Sequence, residues 1–182
     1  MVIYGTRWGG TVAIAERISQ VLKKDGFVTA IVDVKNNPEL RDFDLIVIGS
    51  GISGGKWTRE SYEFLKRHTT ELRHRKTALF VSCGMVARGS GLEKAREDYL
   101  VKVARRFGLS PVNYGLFGGI LVFDAKYNLL DRFMVDSSKK NLRKMGIDTN
   151  KPYDFRDWEN IESWAKRVGE STPIPVAPEV VM

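Results

Sequence analysis

Short, fully apolar runs alternate along this chain with stretches in which apolar residues recur at the helical period. That alternation predicts an α/β fold, a parallel sheet whose strands are buried on both faces by helices. Residues 2–4 are the first apolar run and end at Gly5. In residues 11–24, Ile14, Ile18, Val21 and Leu22 stand at i, i+4, i+7 and i+8, an amphipathic helix that Gly26 closes. Residues 27–34 are β-branched and strand-like, Asn36, Asn37 and Pro38 turn the chain, and residues 45–48 form another apolar strand entering the glycine-rich loop 49–55. Further on, 60–72 reads as helix, 77–82 as strand, 83–91 as loop, 92–107 as helix and 112–121 as a fifth strand.

After the fifth strand the rhythm breaks. Residues 122–150 hold a polar turn, an amphipathic stretch with Leu129, Leu130, Phe133 and Met134, and the basic run Lys139, Lys140, Arg143 and Lys144. They read as an insertion that splits the fifth strand or separates it from its helix. An extended piece at 152–155 leads to a last helix, with Trp158, Ile161, Trp164, Ala165 and Val168 on one face and Asp157 as its N-cap. The expected organisation is one domain over 1–168 and an extended or disordered tail over 169–182, which carries Pro173, Pro175 and Pro178.

A chain of 182 residues buries enough surface to fold without a metal or disulfide staple. Cys83 is the only cysteine, which excludes an internal disulfide or a CxxC metal site. No apolar run approaches the roughly 20 residues of a membrane span, and the opening MVIYG has no basic leader region, so a cytoplasmic location is expected. The net charge of +7 is concentrated: residues 61–150 carry 17 basic and 9 acidic side chains. No nucleic-acid motif accompanies them, and aromatics are not interleaved with the basic residues as single-strand binders require, so no nucleic-acid partner is expected. Solvated helix faces, an anionic small molecule and an acidic surface remain as readings of the charge, the last as a peripheral membrane contact through the basic and apolar insertion.

The chemistry sits in the first loop. Thr6, Arg7, Trp8, Gly9, Gly10 and Thr11 lie between the first strand and its helix, where unpaired N–H groups and the positive end of the helix dipole converge and two threonine hydroxyls add donors. The segment lacks both the GxxxxGK[ST] and the GxGxxG spacing, which leaves a monophosphate as the guest it suits. A tight turn rich in Gly and Thr is the bland alternative.

This loop resembles the flavodoxin family, whose first loop reads Ser/Thr-x-Thr-Gly-x-Thr and binds the phosphate of FMN. Thr6, Gly9 and Thr11 match, and Trp8 stands where the family has its middle hydroxyl. The resemblance implies a flavodoxin-like, doubly wound, five-stranded parallel sheet of order 2-1-3-4-5, with the insertion after or within strand 5. It also implies two further FMN loops. The second is Ser50, Gly51, Ile52, Ser53, Gly54, Gly55 and Trp57, and the third is Ser82, Cys83, Gly84, Met85, Val86, Ala87 and Arg88. Over 1–168, the strings Val86-Ala87-Arg88, Asp131-Arg132-Phe133-Met134 and Asp157-Trp158 resemble the menaquinone-dependent protoporphyrinogen dehydrogenase branch of that family.

In such a site the flavin carries the redox chemistry, so neither a catalytic side chain nor a metal is expected. Trp57 is the first candidate to stack on the ring and Trp8 the second, with simple packing as the alternative for each, and Cys83 reads as a buried small residue sooner than a redox thiol. Arg88 is a candidate for the phosphate or a substrate carboxylate, or a solvated surface residue. The expected partner is a small-molecule redox substrate or a redox protein, with a homodimer left open. Three readings stand at this point: an FMN oxidoreductase acting on a porphyrinogen or quinone, a flavodoxin-type electron carrier, and a nucleotide-binding module.

Overall fold

The computed structural model describes residues 1–84, 86, 91–127 and 129–172, without the side chains of Leu130 and Met134. The expectations for Met85, Ala87 and Arg88, for the apolar side chains of Leu130 and Met134, and for the tail from Pro173 onward lie outside the described residues. Five strands run parallel, β1 (Val2–Gly5), β2 (Ile31–Asp33), β3 (Leu45–Ser53), β5 (Lys76–Ser82) and β6 (Asn113–Phe117), in the order β2-β1-β3-β5-β6. The two-residue β4 (Lys56–Trp57) folds back antiparallel on the end of β3. Counted over the parallel strands alone, this is the expected 2-1-3-4-5 order.

The central strands are apolar on both sides because both sides are covered. Val47, Ala78 and Phe80 pack with α1 (Gly10–Lys24) and α7 (Trp158–Glu170), while Ile46, Ile48, Leu79 and Val81 pack against the helices of the opposite face. Gly49 lies beside Phe80 in the register, and a Cβ there would overlap the phenyl ring. The first helix closes as expected: the Gly26 N–H bonds Lys23 O at 3.1 Å and the Phe27 N–H bonds Leu22 O at 3.0 Å. The last helix is capped by Asp157, whose side chain accepts from the Asn160 N–H at 3.0 Å.

Four elements depart from their sequence pattern. The strand expected over 27–34 shrinks to Ile31–Asp33, an edge strand beside β1 alone, and Val28 is 92% exposed. The helix expected over 60–72 divides at His68 into α2 (Arg59–Arg67) and α3 (Thr69–Arg73). There the Thr69 hydroxyl bonds back to Leu65 O at 2.7 Å, competing with the helix ladder. The helix expected over 92–107 becomes α4 (Leu92–Arg96), a π-helical turn (Glu97–Val101) and α5 (Lys102–Phe107). Two ion pairs bridge that turn, from Asp98 to Lys94 at 3.0 Å and to Lys102 at 2.6 Å.

The fifth strand stops at Phe117. At Gly118 an added Cβ would overlap the Phe155 carbonyl oxygen, and past this crossing the chain resumes as β7 (Ile120–Leu121), paired antiparallel with β8 (Tyr153–Asp154). The insertion therefore leaves from β7 and returns to β8, carrying α6 (Leu129–Lys144) between them.

Candidate functional site

The three loops meet at the C-terminal ends of β1, β3 and β5. At the first, Gly9 takes φ 80°, α1 begins at Gly10, and neither a side-chain cap nor an acidic residue occupies its first turn. The Val12 N–H turns back to Gly9 O at 3.2 Å, while the N–H groups of Gly10 and Thr11 have no intrahelical acceptor. Thr11 is buried at 2% exposure, with its hydroxyl directed toward Gly51 of the second loop, where a Cβ would come within 3.2 Å of it. Donors, hydroxyls and the dipole thus converge as an oxyanion requires.

At the second loop, β3 outruns the sheet and ends in a hairpin. Ser53 pairs with Lys56 across Gly54 (φ 58°) and Gly55 (φ 74°), a two-residue turn whose left-handed backbone only glycine adopts without strain. Ser50 and Thr58 support it from below: the Thr58 N–H bonds Ser50 Oγ at 3.0 Å, and the Thr58 hydroxyl caps α2 through the Ser61 N–H.

A cavity of about 240 Å³ lies between the loops. Thr6, Arg7, Trp8, Gly10 and Thr11 line it from the first loop, Gly51, Ile52, Ser53 and Gly55 from the second, and Ser82, Cys83 and Gly84 from the end of β5. Gly9, Ser50, Gly54 and Val86 do not line it. Trp57 is placed elsewhere. Its indole N–H bonds Tyr99 O at 2.6 Å, its ring is buried, and it faces a neighbouring cavity of about 850 Å³ bordered by Lys56, Arg59 and Arg106. Trp8 is the indole at the first cavity, 4.9 Å from the ring of Tyr127.

The remaining wall was not foreseen from sequence. Ile120 and Leu121 come from β7, Phe155 from the residue that follows β8, Tyr99 from the π-helical turn, and Tyr127, Asp131, Val135 and Ser138 from the insertion. Asp131 accepts from the Gly54 N–H at 2.6 Å and from the Ser53 hydroxyl at 2.5 Å, and Arg7 donates to the same Ser53 oxygen at 3.2 Å. Burial pushes the Tyr127 and Tyr99 phenols up from their ordinary range. Arg156 grips Asp154 through two hydrogen bonds of 2.6 and 2.9 Å and reaches Gly10 O at 3.4 Å, with its guanidinium 4.5 Å from the Trp158 ring. These bonds hold the Asp154 carboxyl below the usual carboxylate range. The spacing of Asp131, Val135 and Ser138 at i, i+4 and i+7 was a readable signal of one helix face, whereas nothing local marked Arg156.

The family model described as Flavodoxin domain matches residues 1–147. The chain belongs to the flavodoxin domain family. Curated relatives include the protoporphyrinogen IX dehydrogenase [quinone] of Escherichia coli (strain K12), 29% identical over 96% of this chain and 97% of that protein. A protein of the same name in Leishmania major is 26% identical over 98% of this chain and 77% of its own. Among solved structures, a Streptococcus pneumoniae TIGR4 flavodoxin superposes with a TM-score of 0.56 at 14% identity, covering 93% of this chain and 96% of its own. The flavodoxin domain implies a flavin cofactor, and the cradle fits its needs: unspent N–H groups, buried hydroxyls and an adjoining cavity with an aromatic wall. Fold, family and relatives support a flavin oxidoreductase or electron-transfer role. Among the described residues, no helix is long and apolar enough to cross a membrane.

Proposed function

We propose that this flavodoxin domain binds FMN and passes electrons from a reduced organic substrate of porphyrinogen type to a quinone. The observation that carries the reading is the cradle at the start of α1, joined to a wall from the inserted segment, in a chain that pairs with its E. coli relative over nearly its whole length. The Gly10 and Thr11 N–H groups and the Thr6 and Thr11 hydroxyls hold the phosphate. The hairpin at 53–56, Trp8 and Ser82 to Gly84 border the ring. FMN, when bound, supplies the transfer of electrons, singly or as a hydride. The protein orients the ring, keeps water from one side with Ile120, Leu121 and Phe155, and fixes the charges around it.

The purified protein is expected to be yellow and, once reduced without oxygen, to be reoxidised by a water-soluble menaquinone analogue and re-reduced by a porphyrinogen. A colourless protein that binds no added FMN overturns the flavin reading. Yellow protein inert toward both reactants makes the chain an electron carrier.

The acceptor's chemistry gives the outer face of α6 a role. Leu129 and Phe133 are 90% and 76% exposed, and Lys140 and Lys144 continue their stripe at the helical period. An amphipathic, basic stripe of this kind lies in an anionic bilayer surface, where a quinone is dissolved. Sedimentation with phosphatidylglycerol vesicles should carry the protein down, phosphatidylcholine vesicles much less, and Phe133→Asp should cut the bound fraction several-fold with FMN retained. Equal behaviour of wild type and variant removes the membrane from the reading.

A further inference from the structure

We propose that the cavity of about 850 Å³ beside the hairpin is the seat of the organic substrate, a flat polycarboxylate of tetrapyrrole type whose carboxylates are held by Arg59 and Arg106 at its rim. The inference rests on the FMN reading above and says where the electron donor sits beside that cofactor.

The charge at this cavity is assembled from distant parts of the chain. Arg7 comes from the first loop, Lys35 from the 3-10 turn Val34–Asn36 and Lys56 from β4. Arg59 stands at the start of α2 and Arg106 in the last turn of α5. Among the described residues none of these five cations is in an ion pair. Three carboxylates share the lining, those of Glu60, Glu63 and Asp98, and Asp98 is committed to Lys94 and Lys102, neither of which lines the cavity. Five cations against two uncommitted carboxylates leave a positive field, and an anionic guest relieves it.

The more buried part of the lining is aromatic. Trp57 is 6% exposed, with its indole N–H fixed on Tyr99 O at 2.6 Å, and Tyr62 and Tyr99 are half-buried beside it. The Arg106 guanidinium lies 5.5 Å from the centre of the Tyr62 ring, which orients its fork at the rim. Fixed aromatic surface and exposed guanidinium donors together suit a flat ring system with carboxylates on its edge. An uncharged quinone gains nothing from the cations, and a lone phosphate gains nothing from the three rings. The volume lies within the roughly 300–1,000 Å³ of pockets that take cofactor-sized molecules.

This cavity also adjoins the first. Thr6, Arg7, Ser53, Gly55 and Tyr99 line both, so the two share a wall at the end of the hairpin. A substrate seated here lies against the same hairpin that borders the flavin ring.

Coproporphyrin, an oxidised and water-soluble tetracarboxylic porphyrin, is the probe, and the shift of its absorption band on titration with FMN-loaded and FMN-free protein reads its binding. Arg59→Ala and Arg106→Ala should each weaken it about fivefold, and the double variant about twentyfold, the size of exposed charge-assisted contacts. FMN affinity should stay at the wild-type value in all three, because neither arginine lines the first cavity. Lys66→Ala, which removes a like charge from α2 outside the cavity, should bind the porphyrin as wild type does. A porphyrin of similar size bearing four cationic groups should not bind. Equal weakening by Lys66→Ala, wild-type affinity in the double variant, or no porphyrin binding by an FMN-loaded wild type overturns the inference and leaves the flavin reading standing. A wild type that takes up no FMN overturns that reading, while the porphyrin titration of the FMN-free protein still judges the cavity.

Discussion

Thr11→Val is expected to weaken FMN ten- to a hundredfold while leaving riboflavin within about twofold of wild type. The substitution is nearly isosteric, so packing around the start of α1 persists, and only the hydroxyl is lost from a side chain that is buried and lines the cavity. A hydrogen bond to a charged group contributes about 1.5–3 kcal/mol, which is the affinity range stated. Riboflavin shares the ring and lacks the phosphate, and this makes it the control. Titration of flavin fluorescence with both ligands gives the comparison directly. Equal weakening of the two would place the phosphate elsewhere and remove the assignment of the first loop.

Gly118→Ala is expected to destabilise the fold by about 3 kcal/mol, through a clash that overpacking of a fixed backbone cannot relieve. The new Cβ would overlap the carbonyl oxygen of Phe155, a main-chain atom next to the N–H that bonds Gly119 O at 3.1 Å. Relief requires β8 to separate from β7, and that pair is the joint through which the insertion is attached and by which Phe155 and Ile120 reach the cavity. For a chain of this size the loss corresponds to a Tm lower by roughly 6–12 °C. Gly84→Ala serves as the stability control, because a Cβ there meets nothing within 4 Å. Thermal unfolding curves of the two variants that coincide would show that the β7–β8 joint contributes little.

Most of the fold was legible because its signals are local. A strand buried on both faces, such as residues 45–48, announces itself as an apolar run, and a helix with one buried stripe, such as that of Ile14 and Ile18, as a period. Cooperation between neighbours in space was less visible. Val28 has strand propensity and no strand partner, and Thr69 sits in a helical pattern yet bonds its own helix backward. Tyr99 read as an ordinary helical residue until the π-helical turn brought it to the cavity wall. The two indoles show the same limit: both Trp8 and Trp57 lie in loops that the sequence marks as candidates for the cofactor, and only the tertiary structure, with Trp57 bonded to Tyr99 O, separates the one that faces the cavity.

By itself, the sequence determined the parallel sheet, its covering helices, the glycine- and hydroxyl-rich turn before α1 and the presence of an inserted segment after the fifth strand. Each depends on apolar periodicity or on glycine and hydroxyl residues at a strand-to-helix turn, properties a few consecutive residues carry. Only the tertiary structure decided where the insertion goes. Its path follows from the close crossing at Gly118 and from a carboxylate meeting an N–H across 77 residues, and no local pattern encodes which buried donor will find which distant acceptor.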